Sequence, residues 1–177
     1  MNITKHYNNK DSDNSHILYF ADHLKIDFGA MTAKVDNVIT RSHEGYNCYL
    51  LIVNHHTQYT YDFLSCNKAP PLRTITQFLR TYCNTDGVWI VCTDQGGELA
   101  RSVAFKETII QAEYHVEVTG TDNSGQNAIS EHLHKHLDNM VGVGLENAVL
   151  HMKYWSDALL HAVFSKTVYH TRLFTIK

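Results

Sequence analysis

The stretch that most constrains this chain is residues 88–100, VWIVCTDQGGELA. It is an apolar, β-branched run that reads as a buried strand and stops on Asp94, with Gln95, Gly96, Gly97 and Glu98 directly behind it. Such a strand belongs inside a covered sheet, and strand ends of α/β sheets are where ligands and catalytic groups gather. Asp94 is therefore a candidate for chemistry. Asp94-Gln95-Gly96-Gly97 is equally a good turn.

The elements around this strand set the fold class. HLKIDFGAM (23–31) has strand character, and YNCYLLIVNHHT (46–57) with YTYDFLSC (59–66) reads as two further strands, joined by a short connection and antiparallel. Pro70-Pro71 opens a segment with Leu72, Ile75, Phe78, Leu79 and Tyr82 at helical spacing, which Asn84 and Gly87 would end. After the strand at 88–94, Leu99 to about Ala112 has helical composition, and YHVEVTG (114–120) alternates like a strand. From Ser124 a long helix carries Ile129, Leu133, Leu137 and Met140 on one stripe, with Gly142 and Gly144 expected to break it. Met152, Trp155, Leu159, Ala162 and Val163 are in register for a last helix. The order predicts an α/β protein with a mixed sheet flanked by helices.

At 177 residues the chain is long enough to bury one core without disulfides or metals. The polar run at the N-terminus marks residues 1–20 as a flexible leader, leaving 21–177 as a single domain. No apolar run approaches the roughly 18 residues of a membrane span. The four cysteines, Cys48, Cys66, Cys83 and Cys92, form no close CxxC pair, and three lie in apolar surroundings as reduced thiols do. An intracellular protein with no membrane partner is expected. The net charge of −3 excludes a strongly basic protein that grips nucleic acid by phosphate contacts alone. The 13 histidines would add positive charge below about pH 6.5.

Three acids fall where they can meet if the first and fourth strands are neighbours. Asp27 is in the first strand, Asp94 ends the fourth and Glu131 is in the first turns of the long helix. Converging carboxylates repel one another, so a stable cluster asks for a hard divalent cation such as Mg²⁺ or Mn²⁺. Two such ions about 4 Å apart can activate an attacking oxygen and stabilise a leaving one in phosphoryl transfer. Taken singly, Asp27 can pair with Lys25 or Arg41, and Glu131 can be a solvated helix residue. His132 and His136, at i,i+4, have no Cys or third His at zinc-ligand spacing.

The stretches IDFGA, YNCYLLIVNHHTQYTYDF, CTDQGGELARSVAF, GQNAISEHLHKHL and KYWSDALLHAVF, in this order and at these separations, carry a family resemblance. Over nearly all of residues 22–174 the chain resembles the catalytic core of retroviral-type integrases, most closely that of copia-type long-terminal-repeat retrotransposons. The resemblance implies a ribonuclease H-like fold with a five-stranded mixed sheet, and a DDE set made by Asp27, Asp94 and Glu131 holding two Mg²⁺ or Mn²⁺ ions. The 37 positions from Asp94 to Glu131 are close to the family's separation. It implies DNA integration: end processing by water, then strand transfer of element ends into target DNA by a 3′-hydroxyl. Gln126, Asn127 and Lys135 would lie against DNA, and Gly96-Gly97 would let the backbone turn away beneath it. A homo-oligomer, a Gag-Pol polyprotein context and a cytoplasmic and nuclear location are implied in the same way.

The chain departs from the family pattern near the acids. Gln95 stands for the usual Asn, Ala128 for Gly, and His132 for the basic residue after the glutamate. Weakened DNA contacts are expected, in keeping with the acidic net charge. The alternatives are a decayed or repurposed ribonuclease H-like domain that binds nucleic acid or protein without catalysis, and a nuclease that cuts without joining.

Overall fold

The computed structural model describes residues 23–31, 39–82, 89–95, 97–119 and 124–174, with backbone alone at 82, 124–130 and 169–174. The N-terminal leader and the helix-ending Asn84 and Gly87 lie outside these residues. Five strands form one sheet: β1 (His23–Gly29), β2 (Cys48–Asn54), β3 (Thr60–Ser65), β4 (Trp89–Asp94) and β5 (Tyr114–Thr119). Their spatial order is β3-β2-β1-β4-β5. β1 pairs antiparallel with β2 and parallel with β4, β2 pairs antiparallel with β3, and β4 pairs parallel with β5. This is the expected mixed sheet flanked by helices. The strands that chain reversal can join are antiparallel, and those needing a crossover are parallel.

Strand β2, CYLLIVN, is buried along its whole length because it is covered on both faces. Alternation sends Leu50 and Ile52 to one side, with Leu24, Ile26, Trp89, Val91 and Tyr114. There they pack on α1 (Leu72–Tyr82), α2 (Glu98–Arg101) and α3 (Val103–Gln111) through Ile75, Phe78, Leu79, Leu99, Phe105 and Ile109. Tyr49, Leu51 and Val53 face the other side, against α4 (Ser124–Asn147) and α5 (Trp155–Phe174). That second core takes Leu133, Leu137, Val141 and Leu145 from α4 and Trp155, Leu159, Ala162 and Val163 from α5.

Two helical expectations change. The segment from Leu99 to Ala112 is two helices, because Ser102 leaves helical geometry at φ −80°, ψ 111°. Its hydroxyl accepts from Phe105 N–H at 3.1 Å and caps α3. Conversely, α4 runs through Gly142 and Gly144 without a break. Two mid-helix glycines cost about 1 kcal/mol each relative to alanine. Val141 and Leu145 continue the stripe of Leu133 and Leu137, and their burial, about 1.5–3 kcal/mol for a side chain of this size, outweighs that cost.

The β2–β3 turn is built by the Asn54 carboxamide, whose oxygen accepts from His56 N–H and Thr57 N–H at 3.0 and 2.7 Å. The chain closes through Gln58 in the left-handed region, φ 56°. The His55 amide donates to the His23 carbonyl at 2.8 Å, so the turn is seated beside the start of β1. Among the described residues no helix is long and apolar enough to cross a membrane.

Candidate active site

The second core draws its buried sheet residues from β2, with Leu64 of β3 half-buried beside them, and this leaves the same face of β1, β4 and β5 largely to polar side chains. Leu24 and Ile26 point to the first core, so His23, Lys25 and Asp27 point the other way. Likewise Trp89 and Val91 send Cys92 and Asp94 to that face. The parallel register runs as far as Lys25 with Cys92, and Asp27 and Asp94 each follow two residues further along their strands.

Lys25 is the centre of this face. It is only 7% exposed. Burial pushes its ammonium below the ordinary lysine range, and Asp27, Cys92, Asp94 and Glu131 all oppose that shift by their charge. The three acids singled out in the sequence, contributed by β1, β4 and α4, therefore act on one buried cation. Asp27 and Asp94 are half-buried and Glu131 is exposed. The structure also brings in partners that sequence reasoning did not assign. Asp27 Oδ1 accepts from Phe28 N–H at 2.8 Å, and Oδ2 lies 3.4 Å from His134 Nε2. Among the described residues that Nε2 makes no aligned hydrogen bond, so it stands close to Asp27 without being bonded to it.

The other ring nitrogen of His134 meets Tyr49 Oη at 3.0 Å, and the Tyr49 hydroxyl donates to Asp138 Oδ1 at 3.4 Å. A phenol that donates to Asp138 accepts from Nδ1–H, so this pair orients the His134 ring from one side. Burial, with Asp138 beside it, holds the Tyr49 phenol above its ordinary range. Burial also raises the Asp138 carboxyl, against the pull of His134 and the Tyr49 hydrogen bond. Tyr49 pairs across the sheet with Gly29, and a Cβ there would lie 2.2 Å from Tyr49 Cζ. Gly29 is needed for the ring to cross β1 and reach α4.

Lys135 is exposed on α4, one turn beyond Glu131. Gln126 and Asn127 fall in the first turn of α4, and their side chains lie outside the described residues. Gly97 takes φ −78°, ψ 164°, a conformation open to any residue. Gly96 lies outside the described residues.

Two sets of three side chains, among the described residues, bring ligand atoms within 4.8 Å of one another: His23/Cys92/Glu117 and His43/Glu44/Asp157. The three acids around Lys25 are in neither. Away from the sheet, α4 and α5 flank an apolar groove of about 960 Å³ lined by Met140, Val143, Leu145, Leu150, Tyr154 and Ala158, among others. A period-two reading of HLKIDFG would have placed Lys25 beside Asp27; nothing local marks Tyr49 and His134 as partners, 85 residues apart. No model of a known protein family matches this chain, and no curated protein matches it.

Proposed function

We propose that the chain is an integrase-type polynucleotidyl transferase core with a ribonuclease H-like fold, which cuts and joins phosphodiester bonds in DNA. One observation carries the reading: carboxylates from β1, β4 and α4 all act by their charge on the same buried lysine, Lys25. A sheet ordered β3-β2-β1-β4-β5, with two of the acids on its adjacent middle strands, suits that fold. The donor type suits hard divalent ions, being three carboxylates of which two are half-buried and one is exposed. Asp27, Asp94 and Glu131 would hold two Mg²⁺ or Mn²⁺ ions, which when bound activate the attacking oxygen and neutralise charge at the phosphodiester.

The chain's own residues do the rest. Phe28 N–H and His134 fix the direction of the Asp27 carboxylate, and the Tyr49–Asp138 pair fixes His134. Lys25 offsets the mutual repulsion of the acids in the protein alone. Lys135, on the exposed side of α4 near Glu131, would meet a backbone phosphate, and Gln126 and Asn127 would border the DNA at the helix start.

The test is cleavage and joining of labelled oligonucleotides in Mg²⁺ and Mn²⁺, with wild type beside Asp94→Asn. Product from wild type and a loss on the order of 10³-fold or more in the variant, about 4 kcal/mol of barrier, is expected. Either metal should also raise the melting temperature of wild type and not of the variant, with about 2.7 kcal/mol of stabilisation at 100 times the dissociation constant. An Asp94→Asn protein as active as wild type overturns the assignment. Absence of both product and metal shift favours a second reading, a non-catalytic interaction domain, for which the apolar groove between α4 and α5 speaks.

A further inference from the structure

We propose that His23, Cys92 and Glu117 form a second metal site, separate from the acids and selective for a zinc-class transition ion. The three residues come from neighbouring strands, β1, β4 and β5. Cys92 pairs with Glu117 in register, and Lys25, two residues after His23, pairs with Cys92. All three side chains project from the same sheet face. His23 Nε2 lies 3.0 Å from Cys92 Sγ, and Sγ lies 3.8 Å from Glu117 Oε2. Zinc held tetrahedrally at about 2.0–2.3 Å sets ligand atoms about 3.5 Å apart, so the three are already spaced as the corners of one coordination sphere.

The chemistry of the set selects the ion. Imidazole nitrogen, thiolate and carboxylate together suit Zn²⁺ or Co²⁺, whereas Mg²⁺ prefers oxygen alone. Cys92 is buried, His23 half-buried and Glu117 exposed, so the site opens outward and leaves a fourth position to water. Burial and then the adjacent Glu117 push the Cys92 thiol up to about 12. A thiol in that state is a poor nucleophile, which argues against a Cys–His catalytic pair. A divalent ion between the two groups would hold Cys92 as the thiolate, its proton passing to solvent. The ring of His55 stacks on His23 at 4.7 Å between centroids, and His56 packs edge-on at 6.2 Å. These rings restrict the His23 side chain, so ion binding orders little that is not already ordered. His23 and Asp27 are four residues apart on one strand, about 13 Å at strand rise, with Lys25 between them. An ion here would staple β1, β4 and β5 together upstream of the acids.

Titration of the full, reduced chain with Co²⁺ tests the proposal, because thiolate ligation gives a sulfur-to-cobalt charge-transfer absorption that oxygen and nitrogen ligands do not. One equivalent of Co²⁺ should produce the band, and Zn²⁺ should displace it. Cys92→Ser should abolish it, His23→Ala and Glu117→Ala should weaken affinity tenfold or more, and Asp94→Asn should leave it unchanged. The exposed His43/Glu44/Asp157 set contains no sulfur and cannot give the signal. If Cys92→Ser does not fold, the His23 and Glu117 variants carry the test. No band in wild type, or a band undiminished in all three variants, overturns the site.

Discussion

At the scale of single residues, the face of the sheet under α4 and α5 carries a cost as well as a site. Asp62, in β3 opposite Leu51, is half-buried, and its Oδ2 is enclosed with no hydrogen-bond partner among the described residues. Burial raises its carboxyl, opposed only by its own backbone amide. A folded-state value above the unfolded one means that the native state holds its proton more tightly. The ionised group therefore lowers stability above the folded value, and the loss is recovered as pH falls through it. Asp62→Asn is expected to stabilise the protein by about 1 kcal/mol at pH 7 in urea denaturation, with the gain shrinking as pH is lowered. A variant no more stable than wild type at pH 7 would mean that the charge is solvated.

At the scale of elements, α4 shows where local propensity yields to packing. Glycine at 142 and 144 reads as a stop because each exposes backbone and adds freedom to the unfolded chain. The helix continues because its buried stripe extends past them to Val141 and Leu145, and that extension is visible only when α5 and β2 supply the other side of the core. The two glycines are thus a cost without a steric reason at one of them, since a Cβ on Gly144 would meet nothing within 4 Å. Gly144→Ala should raise stability by about 0.5–1 kcal/mol by thermal or urea unfolding, and a loss instead would mean that the groove it lines needs the open space. Ser102 is the converse case. A serine three residues before Phe105 is a legible capping pattern, yet helical composition on both sides of it hides the break.

At the scale of the whole molecule, a single sheet serves two cores, and each contains one of the two tryptophans. Trp89 lies in the core under α1, α2 and α3, and Trp155 in the core under α4 and α5. Adjacent residues of β2 belong to opposite cores, so neither can melt without exposing the other's strand. Single-tryptophan proteins carrying Trp89→Phe or Trp155→Phe should therefore unfold in urea with fluorescence midpoints coincident with their own far-ultraviolet circular dichroism. Distinct midpoints within one protein would show that the two layers come apart separately.

What the chain states by itself is periodic: alternation in HLKIDFG and YHVEVTG, a continuous apolar run in CYLLIVN, and helical stripes in the segments of α1, α4 and α5. These determine the kinds of element, their order and so the mixed α/β class, because side-chain period depends only on local backbone geometry. Asp94 is legible as a candidate because it ends a buried strand. The rest was decided by pairing at long range. Lys25 came to lie among Asp27, Asp94 and Glu131, Tyr49 reached His134 across Gly29, and His23, Cys92 and Glu117 met only because β1, β4 and β5 lie side by side. Cys92 is 69 residues from His23 and 25 from Glu117, and a search for ligands at short spacing passes over such a set. Strand order is fixed by burial of both sheet faces at once, a condition on the folded whole that no local stretch of sequence contains.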